Sequence, residues 1–304
     1  MDRHWSEFCT MSLVSFMAFP DIAGGGGPVV ESLARIAGDD FFDGVELAWI
    51  NDPQTRQEAR SILAAGRLAA GFCAHPAILS QKLNLNSLDE DERRHAVTQM
   101  RGLIDQAHEL NAARFVLLSG RDPGEAAREA AIEALVKSLA DLCRYARPYG
   151  IEVVVETFDR GVDKKALIGP VADARRLAAE LRRDHANFGL LYDLSHMPLL
   201  DESPADMAVI KEYLVHAHVG NCVKVAGRPL YGDLHPAFGL PGGENGVEQL
   251  AAFIQALFAI GYLAAGKEPK PWVGFEVKPQ GPGQTPELII ANAKRTWRQA
   301  WALV

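Results

Sequence analysis

The 304-residue sequence predicts one (β/α)8 barrel spanning residues 1–304, and three observations lead there. Apolar runs of strand length alternate with amphipathic helical stretches, eight of each, with no change of composition between the halves. Such alternation builds a parallel sheet, and eight repeats is the number that closes a barrel. Most runs are apolar throughout, as expected of strands covered on both faces. Several end abruptly on an ionisable residue, which is where barrels of this type keep their chemistry. A doubly wound open sheet is the other architecture that the alternation allows.

The first strand is expected over SLVSFMAF (12–19), followed by a loop with four successive glycines. That loop lacks both the P-loop lysine and the GxGxxG spacing, so it is a flexible connection rather than a phosphate cradle. PVVESLARIAG then forms a helix, with Pro28 in its first turn and Gly38 near its end. GVEL (44–47) is the second strand, and Asp52-Pro53 caps and opens the next helix. RLAAGFCAH (67–75) is the third strand and ends on His75, with a long polar loop after it. Ser87-x-x-Glu90 reads as a capping box ahead of a helix whose apolar face carries Val97, Met100, Leu103, Ile104, Ala107 and Leu110. AARFVLLSG (112–120) is the fourth strand, and the stretch from Pro123 to Ala146 is its helix. The second half repeats the rhythm, with strands at 151–156, 188–193, 213–218 and 272–277. Its helices start near Pro170, at Ser203-Pro204, at 246 and at Thr285-Pro286, and a long insertion occupies 221–245.

With 48% hydrophobic residues the chain can bury a large core, and disorder is not expected. The 31 basic residues against 39 acidic ones give −8, which disfavours a nucleic-acid partner. Cys9, Cys73, Cys143 and Cys222 are scattered and form no CxxC pair, which suggests reduced thiols in a cytoplasmic protein. No signal-peptide pattern opens the sequence, and no apolar run is long enough to cross a membrane.

The strand ends carry the chemistry. Glu156, Asp193, His218 and Glu276 terminate the fifth to eighth apolar runs. A carboxylate at the tip of a buried strand is costly unless a cation or hydrogen bonds meet it. Two Glu, one Asp and one His on four neighbouring tips make a divalent-metal ligand set. Such carboxylate-rich ligation suits Mn2+, Mg2+, Co2+ or Zn2+ without separating them; one divalent ion is expected, with Mn2+ taken as the first choice. His216 lies two residues before His218 and so points the same way one layer deeper, where it would orient a ligand. Glu46, Trp49 and His75 stand at the second and third strand ends, and Ser119 at the fourth. Phe16, Trp49 and Phe158 are placed to wall a pocket. Lys278 shares the side of Glu276, whereas Lys164 and Lys165 read as a solvated pair in the loop after the fifth strand.

At these residues the sequence resembles the xylose-isomerase-like barrels, in particular the sugar isomerases and epimerases related to tagatose 3-epimerase. The resemblance is carried by GVEL, VVVETFD, Asp193-x-x-His196, His218-x-x-Asn221, GLPGGENG and GFEVKP. It implies a single metal on Glu156, Asp193, His218 and Glu276, with Glu156 and Glu276 also acting as acid and base on either face of the sugar carbon. It further implies that the Asp-x-His loop contacts substrate, with His196 and His235 as substrate-binding or proton-relay groups beside Asp233. From their places at the strand ends, His75, Glu46, Lys278 and Trp49 are expected to contact substrate as well. The expected function is isomerisation or epimerisation of a small ketose or oxo-sugar by proton transfer alpha to a carbonyl. A lyase on the same site, an inosose-type dehydratase or an oxo-C-glycoside deglycosidase, is the nearest alternative, since it shares the enediolate. Gly232-Asp233-Leu234-His235-Pro236 with Asp193-x-x-His196 is also similar to endonuclease IV, a relative with a three-metal cluster. There His196, Asp233 and His235 would match a further metal site and His75 a third-site ligand. Ser119, standing where that pattern has a histidine, argues against the full cluster. The expected partner is a small carbohydrate, without nucleic acid or membrane; relatives often form homo-oligomers, and nothing in the sequence locates an interface.

Overall fold

The computed structural model describes residues 3–304. Eight parallel strands close into a barrel in sequence order, β1 pairing with β8. They are β1 (Thr10–Val14), β2 (Gly44–Leu47), β3 (Ala69–Cys73), β4 (Ala112–Leu118), β5 (Glu152–Glu156), β6 (Phe188–Asp193), β7 (Leu214–Val219) and β8 (Trp272–Phe275). Nine α-helices surround them among the described residues: α1 (Ser15–Ala18), α2 (Val29–Ala37), α3 (Pro53–Gly66), α4 (His75–Gln81), α5 (Glu90–Glu109), α6 (Glu125–Ala146), α7 (Val171–Leu181), α8 (Val247–Ala259) and α9 (Pro286–Ala302). All four cysteines are free and buried, and among the described residues no helix is long and apolar enough to cross a membrane.

The strand period of two divides the side chains cleanly. Along β8, Val273 and Phe275 face the helices, while Trp272 and Gly274 face the barrel axis. Trp272 fills the interior, its ring 5.1 Å from the Arg114 guanidinium. A Cβ at Gly44 or Gly71 would come within 3.2 and 3.4 Å of that ring, so two neighbouring strands give up side chains to house one indole. Gly274 does the same one layer higher. Its Cβ would lie 2.3 Å from Glu46 Oε1, 2.8 Å from His218 Cδ2 and 2.9 Å from Ser12 Oγ. Gly274→Ala is therefore expected to cost about 1–3 kcal/mol in denaturant unfolding. Gly102→Ala, on an exposed turn of α5 with open space around it, should instead stabilise by about 0.5–1 kcal/mol.

Four local expectations are corrected. The first strand is Thr10–Val14 rather than 12–19, because the chain turns into α1 where Ser15 Oγ hydrogen-bonds the Glu46 carbonyl at 2.8 Å. His75 does not end β3 but opens α4, so the first part of the stretch expected as loop, through Gln81, is helix and only the remainder is loop. The start of α5 is capped by Asp89, whose carboxylate accepts from the Asp91 and Glu92 amides. Ser87 instead bonds the Glu92 side chain. After β6 the capping box at Ser203 and Asp206 opens a 3-10 helix, Pro204–Val209, not an α-helix. The 221–245 insertion folds back over the barrel mouth and is tied there by asparagines. Asn245 Nδ2 donates to the Leu194 and Gly220 carbonyls, and Asn221 Oδ1 accepts from the Cys222 and Asn245 amides.

Candidate metal centre and active site

Strands β5 to β8 deliver Glu156, Asp193, His218 and Glu276 to one point at the C-terminal mouth. One ligand-type atom from each lies within 4.8 Å of all the others, and all four residues are buried. His218 Nδ1 is 2.9 Å from Glu276 Oε2 and 3.7 Å from Glu156 Oε1. Asp193 Oδ1 accepts from the Ser195 amide at 2.7 Å. Its Oδ2, like Glu156 Oε1, is buried without a hydrogen-bond partner among the described residues. Three carboxylates and an imidazole taken out of water, with oxygens left unpaired, are the donor set of a divalent cation. The cluster can hold a metal ion, and these residues fit one.

The electrostatics agree. Burial opposes charge on His218, but the Glu46 and Glu156 carboxylates outweigh it and hold the imidazole well above its ordinary range. Burial raises Asp193 to about 6, with Glu276 adding to the push and His196 resisting it. Without an ion, protons therefore supply the positive charge that the cluster needs, and an ion must displace them. The sign follows: both groups bind protons more tightly in the folded, ion-free protein than when unfolded, so rising pH removes that stabilisation while it frees ligands for metal. The gap in Tm between metal-loaded and ion-free protein should widen as pH rises through about 6, where Asp193 gives up its proton, and further at higher pH as His218 does. A constant gap in calorimetry would show that no proton leaves these groups when the ion binds.

Around the cluster each glutamate meets a histidine on its other oxygen. Glu156 Oε2 lies 3.2 Å from His75 Nε2, and Glu276 Oε1 lies 3.5 Å from His235 Nε2. His196 donates Nδ1–H to the Thr157 carbonyl at 2.7 Å, which turns Nε2 toward Asp233 Oδ1 at 3.2 Å. Asp233 Oδ1 is also 3.0 Å from His235 Nε2. Burial alone would lower His196; Asp233 and Asp193 prevail and raise it to about 10. His235, held at a φ of 49°, is locked by Lys278 N–H donating to its carbonyl at 2.8 Å. Asp193, His196 and His235 also bring ligand-type atoms within 4.8 Å of one another.

A cavity of about 290 Å³ opens on this wall, lined among others by Phe16, His75, Phe158, Asp233, His235 and Lys278. Glu276 reaches it too. Of the substrate contacts expected from sequence, His75, Asp233, His235 and Lys278 thus face one space, and His196 stands behind Asp233. Two do not. Glu46 is fully buried behind the ligand cluster, with Oε1 taken by Ser12 Oγ (2.7 Å) and His216 Nε2 (3.1 Å) and Oε2 by His218 Nε2 (2.8 Å). It has no lone pair turned to a substrate; it holds His218 so that Nδ1 points into the cluster. Trp49 donates its indole N–H to the Ala23 carbonyl at 3.0 Å and props the glycine-rich loop instead of lining the cavity. Ser119 Oγ accepts from the Ile168 amide at 3.0 Å, so it latches the loop after β5.

Lys164 reverses its expectation as a solvated cation. Its ammonium pairs with Asp163 Oδ2 at 2.8 Å and with buried Asp233 Oδ2 at 3.0 Å, while Lys165 is exposed. The missed signals were present. Two histidines on one face of β7 need an acceptor, which Glu46 supplies, and Pro76 marks the first turn of a helix at His75.

A closed parallel barrel with a buried carboxylate–imidazole cluster at its C-terminal mouth defines the class. Residues 33–300 match the profile of the xylose isomerase-like TIM barrel, and the chain belongs to that family. Among solved structures it is similar to an L-ribulose 3-epimerase (17% identity over 97% of this chain and 95% of the other, TM-score 0.75). It is also similar to the D-psicose 3-epimerase of Clostridium cellulolyticum H10 solved with D-tagatose (19%, 97% and 96%, TM-score 0.67) and to a zinc-bound IolI protein (16%, 96% and 97%, TM-score 0.72). At these identities the likeness shows the fold. No curated protein sequence matches the chain.

Proposed function

We propose that the protein is a divalent-metal-dependent sugar isomerase or epimerase that moves a proton at the carbon alpha to a carbonyl of a small ketose or oxo-sugar. The observation that carries it is the pair Glu156 and Glu276. Both turn one side toward the ligand cluster and the other toward a histidine, His75 and His235 respectively. Binding alone would not need two carboxylates so placed. Sugar epimerases among the structural neighbours support the same class.

An ion on Glu156, Asp193, His218 and Glu276, Mn2+ by preference, would polarise the substrate carbonyl as a Lewis acid. Phe16 and Phe158 offer apolar faces to the ring, and closing water out of the cavity strengthens every charge in it. One glutamate takes the alpha proton, giving the enediolate, and the other returns a proton to the opposite face or the next carbon. His75 and His235 are placed to relay those protons onward. Carbohydrate is the expected partner, with neither nucleic acid nor membrane.

Elemental analysis of freshly purified protein, beside His218→Ala, should give about one ion per chain, lost in the variant. Loaded protein should then incorporate solvent deuterium into a ketose or oxo-sugar alpha to its carbonyl. Failure to take up metal after reloading, or no exchange across a ketopentose, ketohexose and oxo-sugar panel, overturns the proposal. Exchange accompanied by loss of a beta substituent would assign a lyase instead.

A further inference from the structure

The cavity at the ligand cluster is not isolated. A second cleft of about 660 Å³ adjoins it, and both are lined by Leu79 and Lys164. Leu79, on α4, is 48% exposed although it is a large apolar residue at the junction. Leu83 and Leu118 continue an apolar floor away from the cluster, and Lys82, Asn84 and Arg121 form the rim. The rim cations are uncommitted: neither Lys82 nor Arg121 makes an ion pair with any described residue. Lys164, by contrast, is fixed by its bond to Asp233 and forms the sill between the two spaces.

The smaller cavity has room for one sugar ring, and the cleft is larger than that. An apolar floor under a polar, hydrogen-bonding rim suits a ring with one apolar face and polar edges. We infer that the substrate has two parts. The reacting oxo-sugar ring occupies the cavity at the cluster, and a ring-sized substituent, glycosyl or aryl, extends past Leu79 and Lys164 into the cleft. This inference rests on the proposed function and adds what that function leaves open, the size and shape of the substrate. Contacts to the non-reacting part would then be expressed in turnover, because remote binding energy holds the reacting carbon in place. The free monosaccharide would be a poor substrate for lack of that anchor.

The test uses full-length, metal-loaded protein and three compounds: a free 3-oxo-hexose, its β-glucoside and its phenyl β-glycoside. Alpha-deuterium incorporation is followed by NMR to give kcat/KM for each. At least one substituted sugar should exceed the free one by about tenfold or more. That ratio should fall at least several-fold in Lys82→Trp, which fills the cleft from its exposed rim, and more weakly in Arg121→Ala. Preference for the glucoside over the phenyl compound, or the reverse, identifies the source of the substituent. Equal kcat/KM for all three, or a preference unmoved by both variants, overturns the two-part substrate and leaves the proposed function standing. Absence of exchange with any of the three, and with the simple ketoses, removes the proposed function and this inference together.

Discussion

Glu156→Gln and Glu276→Gln should each lower turnover by about 10²- to 10⁴-fold, the range that a positioned acid or base contributes. The amide keeps the size of the side chain and one oxygen donor but can neither take nor return a proton. The two variants should nevertheless differ in kind. Losing the group that removes the proton abolishes deuterium entry into remaining substrate. Losing the group that returns it leaves that exchange measurable while product formation stops. Which glutamate is which is read from that contrast. Because both residues also belong to the ligand cluster, metal content must be measured on each variant. Near-native turnover in both variants with the ion bound would remove the carboxylates from the chemistry.

Glu46→Gln should weaken metal binding by about 10- to 100-fold without touching a ligand. Glu46 is the acceptor for two buried imidazoles at once, His216 at 3.1 Å and His218 at 2.8 Å. Burial holds His216 down at about 4, against the pull of the Glu46 carboxylate, so it stays neutral and acts through Glu46. An amide has one oxygen for these donors and presents N–H groups to the other. His218 would then lose the bond that fixes its tautomer and ring angle. Glu46→Ala should be worse, adding about 3–5 kcal/mol of lost stability for buried partners left unpaired. Titration calorimetry with Mn2+ or Zn2+ reads the first effect and denaturant unfolding the second. Unchanged affinity in the glutamine variant would show that packing alone orients His218.

Much of this was legible from the chain. Alternation and the fully apolar runs announce a barrel, and the strand-end positions of Glu156, Asp193, His218 and Glu276 follow from where each run stops. What escaped was set by tertiary partners. Glu46 stands near a strand tip like the others, but its fate depends on β7 lying across the barrel from it, a relation that no spacing encodes. Lys164 sits in a polar loop that looks solvated until the 221–245 insertion brings Asp233 to it. Trp49 has the right residue type near the right strand, yet a single carbonyl from the glycine-rich loop takes its N–H. The ends of β1 and β3 were overrun because apolar residues continue past them into α1 and α4. Hydrophobicity does not distinguish a strand from a buried helical turn.

The reach of Glu46 also bears on how the ring of strands is held shut. All four ligands come from the second half of the chain, but the carboxylate that sets the His218 angle comes from β2, beyond the seam where β1 meets β8. A half-barrel ending before that seam would own every residue of the cluster and, lacking Glu46, should hold an ion less tightly. Tight binding of an ion by these residues would thus be a property of the completed circle, and linkage would make the relation mutual. An ion held only by the closed form adds its binding free energy to closure, about 2.7 kcal/mol at a hundredfold excess over Kd. The same ion that would serve chemistry at the mouth would act as a clasp joining the first quarter of the chain to its second half.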